Sequence, residues 1–208
     1  MDASGWDARY AEKELVWSAG PNTFVEAEVA DLPPGRALDL AGGEGRNAIW
    51  LAQRGWTVEL VEFSRIALEK ARQLAEHAGV ELTLTEADLT TGPQLDPADL
   101  VLVIYLQVPP EASRRATHLA ASLVAPGGTL LFVAHAKRNL VDGVGGPADV
   151  EVLRSVEEVR DDLDGTGLRI TKADEVLRPV ETDDGVRDAI DVLIRAERPP
   201  TSPELGGS

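Results

Sequence analysis

Cysteine is absent from this 208-residue chain, which excludes a disulfide framework, a thiolate nucleophile and a cysteine-ligated metal centre. Histidine is scarce: His77, His118 and His135 are too scattered along the chain to propose a zinc site. No apolar run reaches the roughly 18 to 20 residues that a membrane span needs. The first residues, MDASGWDARYAEKELVW, lack the basic and then apolar segments of a secretory leader. Basic residues are outnumbered, with 20 Lys and Arg against 36 Asp and Glu for a net charge of −16. The average surface therefore repels nucleic-acid phosphates and anionic lipid. These absences lead to the expectation of a cytoplasmic protein with no metal, nucleic acid or membrane as partner; a monomer or homodimer is expected.

What remains is an alternation of short β-rich runs with helical periodicity, the signature of βαβ units on a parallel sheet. ALDLA (37–41), TVELVEF (57–63), VELTLTEAD (80–88), ADLVLVIYL (98–106) and TLLFVAH (129–135) read as five strands. Helices are expected at 46–54, from the candidate N-cap Ser64 to the stop at Gly79, from Pro109 and Pro110 to the PGG at 126–128, and at 155–163. Two further strand-like runs, LRITKADEVLRP and RDAIDVLIRAE, flank the turn signal TDDG (182–185), and so short a link makes them antiparallel. The expected fold is α/β, a seven-stranded, mostly parallel Rossmann-like sheet with a C-terminal antiparallel hairpin and helices on both faces. Residues 1–35 form a helical segment covering the site, 36–197 the main domain, and 198–208 a disordered tail.

In an open parallel sheet, ligands bind beyond the carboxyl ends of the strands. The first strand runs into LDLAGGEGRNAIWLA, in which Gly43, Gly45 and Ala48 satisfy a GxGxxG/A spacing. Asp39 places a carboxylate just before that turn, where it suits a cationic ligand better than a phosphate. Glu62 ends the second strand, 17 residues beyond Gly45, at the position suited to accept hydrogen bonds from ribose hydroxyls. Asp88 ends the third and could accept from an adenine amine or cap the turn at Thr90, with Phe63 and Leu89 available to sandwich the ring. Arg46 and Asn47 could belong to the site or only to the first helical turn.

These residues resemble the class I S-adenosylmethionine-dependent methyltransferases, in particular the small bacterial branch with tellurite-resistance and thiol methyltransferase-like proteins. DLAGGEG (39–45) is similar to that superfamily's (D/E)xGxGxG loop except at Ala41, and EADL (86–89) to its adenine-binding segment. WDARY (6–10), LVWSAGPN (15–22) and GEGRNAIWLA (43–52) extend the likeness. The branch commonly has cysteine at Gly42, aspartate at Glu62 and histidine at Gln107. The resemblance implies S-adenosylmethionine as cofactor, held by Asp39, Ala41, Gly42, Gly43, Gly45, Asn47, Glu62, Phe63, Asp88, Leu89 and Ile104. It further implies in-line methyl transfer to a small-molecule nucleophile carrying sulfur, oxygen, nitrogen or a metalloid.

Such a displacement needs a base only if the acceptor arrives protonated, and His135 and Tyr105 are the candidates, each with a purely structural alternative. Trp6, Tyr10 and Trp17 offer aromatic mass to close over the methyl group, or core packing. Gln107 and Asn139 are further candidates for contacting the acceptor, the latter within a glycine-rich loop that could equally be a connector. Two other classes stay open: a non-catalytic S-adenosylmethionine-binding protein, and a nicotinamide-dependent oxidoreductase suggested by the GxGxxA match.

Overall fold

The computed structural model describes residues 3–12 and 20–201. Seven strands, β1 (Arg36–Leu40), β2 (Thr57–Glu62), β3 (Thr83–Glu86), β4 (Ala98–Ile104), β5 (Val124–His135), β6 (Arg169–Thr182) and β7 (Gly185–Glu197), form one sheet in the order β3-β2-β1-β4-β5-β7-β6. The first five are parallel, and β7 runs antiparallel to both β5 and β6. Leu38, Leu40, Val101, Val103, Leu130 and Phe132 look toward one face, and Ala37, Leu60, Leu100, Leu102, Leu131 and Val133 toward the other. Their period-two alternation buries both faces.

One face is covered by α2 (Thr23–Val29), α3 (Arg46–Gln53) and α4 (Arg65–Ala78); the other by α5 (Pro110–Ser122) and α6 (Val156–Leu163). The expected helices on both faces are therefore present. Strand order reverses between β2-β1 and β4-β5, which opens a crevice beyond the carboxyl ends of β1 and β4. A short α1 (Ala3–Glu12) lies against α4, with Trp6 and Tyr10 packed on Ala67. Among the described residues no helix is long and apolar enough to cross a membrane.

Three local expectations need correction. PGG at 126–128 does not end a helix: α5 stops at Ser122, and the glycines lie within β5, where Ala98 pairs with Val124 but Leu100 with Thr129. Three extra residues on β5 are accommodated there as a bulge, with Gly127 at φ 81°. The third strand is shorter than expected, Thr83–Glu86, because only these residues align with β2. The tail does not begin at 198, since Arg198 is fastened to β5 and α5 by hydrogen bonds to Val124 O and Ala121 O, each 2.7 Å. Residues 202–208 of that expected tail lie outside the described residues.

Ser64 caps α4 as its side chain accepts from Ala67 N–H at 3.2 Å, and Gly79 ends the helix in the left-handed conformation. The same hydroxyl donates to Asp7 of α1, so one buried side chain both starts a helix and ties the N-terminal segment to the domain. Replacing Ser64 by Ala should cost about 1 kcal/mol, seen as a fall in melting temperature of about 2 to 4 °C for a domain of this size. An unchanged melting temperature would show that the cap and the tie contribute nothing.

Candidate active site

The loop from β1 to α3 owes its shape to Ala41, Gly42 and two carboxylates. Ala41 adopts φ 55°, a left-handed conformation that costs a residue with a Cβ about 1 to 2 kcal/mol. This is the position at which the resembled loop pattern has glycine, so the departure keeps the backbone path at the expense of strain. At Gly42 a Cβ would lie 2.3 Å from Leu60 Cδ1 and 2.7 Å from Asp39 Cγ. A cysteine, common there in the resembled branch, fits only if those groups move.

Glu62 is buried at the end of β2, where its Oε2 accepts from Gly43 N–H (3.0 Å) and its Oε1 from Phe63 N–H (3.0 Å) and Ser64 N–H (2.9 Å). One side chain thus joins the loop after β1 to the loop after β2. Burial raises the Glu62 pKa, while the three backbone donors pull it back. Asp39 was expected near a ligand cation; instead it sits behind the loop, fully buried and off the cavity wall, its Oδ2 accepting from Ala48 N–H at 3.1 Å. It anchors the first turn of α3 to β1.

A cavity of about 820 Å³, counting its open mouth, lies beyond these strand ends. Its wall contains Trp6, Tyr10, Ala41, Gly42, Gly43, Asn47, Glu62, Phe63, Asp88, Leu89, Ile104, Tyr105 and Gln107, thirteen of the residues singled out in the sequence. Gly45 stands at the start of α3, outside the wall, and Trp17 lies outside the described residues. Asn47 Oδ1 accepts from Asn22 N–H at 2.9 Å, holding the entry to α2 at the cavity edge. Asp88 caps the turn, its Oδ1 accepting from the Thr90 N–H (2.8 Å) and hydroxyl (2.7 Å), and the residue also lines the cavity.

The two candidate bases are already engaged. Tyr105, at φ 57°, donates its hydroxyl proton to Asp191 Oδ2 at 2.7 Å and accepts from Arg178 Nε at 3.0 Å. Burial and the Asp191 charge push its pKa further above the ordinary tyrosine range. His135 lies off the cavity wall, stacked on Tyr105 with ring centroids 4.4 Å apart and its Nδ1 3.0 Å from Asp191 Oδ1. Asn139 also lies elsewhere, accepting from Ile190 N–H (2.7 Å) and donating to Gly145 O (2.8 Å), so it pins the glycine loop. Missing from the sequence reading are Asp191 and Arg178; Arg46, left open there between site and first helical turn, stands on the cavity wall, where burial lowers its pKa. Nothing local in the sequence marked Asp191 or Arg178.

Burial raises the Asp39 pKa from 3.8 to about 7, with the Ala48 hydrogen bond and Arg46 opposing the shift and Glu62 adding to it. A raised carboxyl pKa means that the folded state keeps a proton that the unfolded state has lost, so stability falls as pH rises between the two values and levels off above the folded one. Denaturant unfolding should show the wild type losing stability relative to Asp39→Asn between pH 5 and pH 8, at about 1.4 kcal/mol per unit of displaced pKa. A difference constant over that range contradicts a protonated Asp39.

Residues 37–128 match a family model described as a methyltransferase domain. No curated protein sequence matches the chain. A structure solved for the conversion of a disulfide bond into a thioacetal group during echinomycin biosynthesis is 23% identical over 96% of this chain and 93% of that one, with a TM-score of 0.78. TehB from Haemophilus influenzae is 14% identical over 95% and 67% of the two chains, with a TM-score of 0.71. The magnesium protoporphyrin IX methyltransferase of Synechocystis, solved with S-adenosylhomocysteine bound, is 19% identical over 94% and 84%, with a TM-score of 0.66. The chain has a Rossmann-like methyltransferase fold, and its residues 37–128 match the model of a methyltransferase domain.

Proposed function

We propose that the protein methylates a small-molecule nucleophile, with S-adenosylmethionine bound in the cavity beyond β1, β2 and β4. The observation that carries this reading is Glu62, a carboxylate on the cavity wall locked by three backbone N–H groups. Rigid and acceptor-rich, it suits the paired hydroxyls of a ribose. Asp88, whose Oδ2 makes no hydrogen bond among the described residues, suits an exocyclic adenine amine, with Phe63 and Leu89 at the ring faces. Ala41, Gly42 and Gly43 bring backbone close to the ligand, and the half-buried guanidinium of Arg46 suits the carboxylate of the methionine part.

When bound, S-adenosylmethionine supplies an electrophilic methyl group on a sulfonium. The residues around it orient and enclose: Tyr105 walls the cavity below its polar network, and Trp6 and Tyr10 from α1 close one side against water. Alignment of this kind contributes roughly 7 to 11 kcal/mol to a bimolecular displacement. The displacement moves no proton by itself, which agrees with a Tyr105 hydroxyl that donates to Asp191 and is not available to receive one.

Titration calorimetry should detect S-adenosylhomocysteine binding and none of NADH, with Glu62→Ala weakening the former about tenfold or more through loss of charged hydrogen bonds. Binding of NADH without S-adenosylhomocysteine contradicts the reading. Turnover screening against thiols, phenols, amines and metalloid oxyanions should yield a methylated product; binding with no product across the panel favours a non-catalytic binder.

A further inference from the structure

Beside the cavity, β7 carries Asp191, a fully buried carboxylate. Its Oδ2 accepts from Tyr105 (2.7 Å) and from Arg178 Nε (2.8 Å), and its Oδ1 faces His135 Nδ1 at 3.0 Å. Arg178, on the neighbouring β6, also donates from Nε to the Tyr105 hydroxyl at 3.0 Å, and its guanidinium carbon lies 5.6 Å from the Tyr105 ring centroid. The guanidinium is thus fixed from behind, through a single nitrogen. Its two terminal nitrogens make no hydrogen bond to any described residue, and the side chain stays 25% exposed. It also lies close enough to the cavity-lining Arg46 for its charge to disfavour the Arg46 cation.

An arginine anchored by Nε with its terminal fork open presents two parallel N–H donors, the arrangement that matches a carboxylate. Two guanidiniums, Arg46 and Arg178, thus act on one tyrosine, the second of them paired with Asp191. The asymmetry within the fold also matters. Arg46 opens α3 after β1, on the cofactor side, whereas Arg178 reaches Tyr105 from the antiparallel hairpin on the other side of β5.

We propose that the methyl acceptor bears a carboxylate and that the terminal nitrogens of Arg178 hold it beside Tyr105. This rests on the reading of the cavity as an S-adenosylmethionine site, with Arg46 committed to the methionine carboxylate. Asp191 is then a positioning residue, which sets Arg178 and the Tyr105 ring in one frame and leaves the fork free. The mixed sheet has a matching role: its hairpin supplies the acceptor contacts, and its parallel part the cofactor contacts.

The test uses the intact protein saturated with S-adenosylhomocysteine and three probes differing only in the head group: 3-phenylpropionate, 3-phenylpropionamide and phenethyl phosphate. Calorimetry should show the carboxylate binding about tenfold or more tightly than the amide and more tightly than the phosphate. Arg178→Gln should abolish that preference, and Arg178→Lys, which keeps a cation on Asp191, should reduce it, both with S-adenosylhomocysteine affinity unchanged as proof of an intact fold. Equal binding of carboxylate and amide, tightest binding of the phosphate, or a preference that survives in Arg178→Gln overturns the proposal. Loss of S-adenosylhomocysteine binding by the wild type would instead overturn the cofactor reading beneath it.

Discussion

The contact between Glu62 and three backbone N–H groups is the constraint on which the site depends. Gly43 belongs to the loop after β1, and Phe63 and Ser64 to the loop after β2, so a single carboxylate welds two strand-to-helix turns. Burying it is costly, as its raised pKa records, and the cost is offset only because each backbone donor finds an acceptor. Ser64, itself held by Glu62, then caps α4 and holds Asp7 of α1. The chain of contacts runs from a strand end to a helix start to the segment that walls the cavity. Asp39 does the parallel task for α3, hidden behind the loop.

A second network frames the far side. Asp191 gathers Tyr105, His135 and Arg178 from three different strands or strand ends, and so links the antiparallel hairpin to the parallel sheet at the cavity wall. Tyr105 pays in backbone strain for this placement, since φ 57° is unfavourable for a residue with a Cβ. The strain sits where the wall must be shaped, as does that of Ala41 on the cofactor side. Both outliers occur at the carboxyl ends of the two strands that flank the switch in strand order.

The sequence disclosed what is local. Apolar runs, Ser64, Gly79, Pro110 and the TDDG turn gave the strands, the α4 boundaries, the start of α5 and the hairpin, because each depends on neighbours a few residues away. Eleven of the thirteen cavity residues were legible for a related reason, because a parallel sheet places strand ends and the turns after them together; Trp6 and Tyr10 come from α1 instead. What escaped depends on distance in sequence. Tyr105 and Asp191 are 86 residues apart and His135 and Asp191 are 56 apart, so no motif could announce that they meet. The same partners occupy the two candidate bases. Asp39 was misplaced because a sequence gives a carboxylate's position along a strand but not whether its side chain points into the cavity or behind the loop.

The central claim is that this loop and these carboxylates form a nucleoside site, with Glu62 on the ribose and Tyr105 near the reacting sulfur. A crystal structure with S-adenosylhomocysteine tests it most directly. The account predicts the ribose hydroxyls within about 3 Å of the Glu62 carboxylate, the adenine between Phe63 and Leu89, and the thioether sulfur facing Tyr105. A ligand bound elsewhere, or a ribose turned away from Glu62, would contradict it.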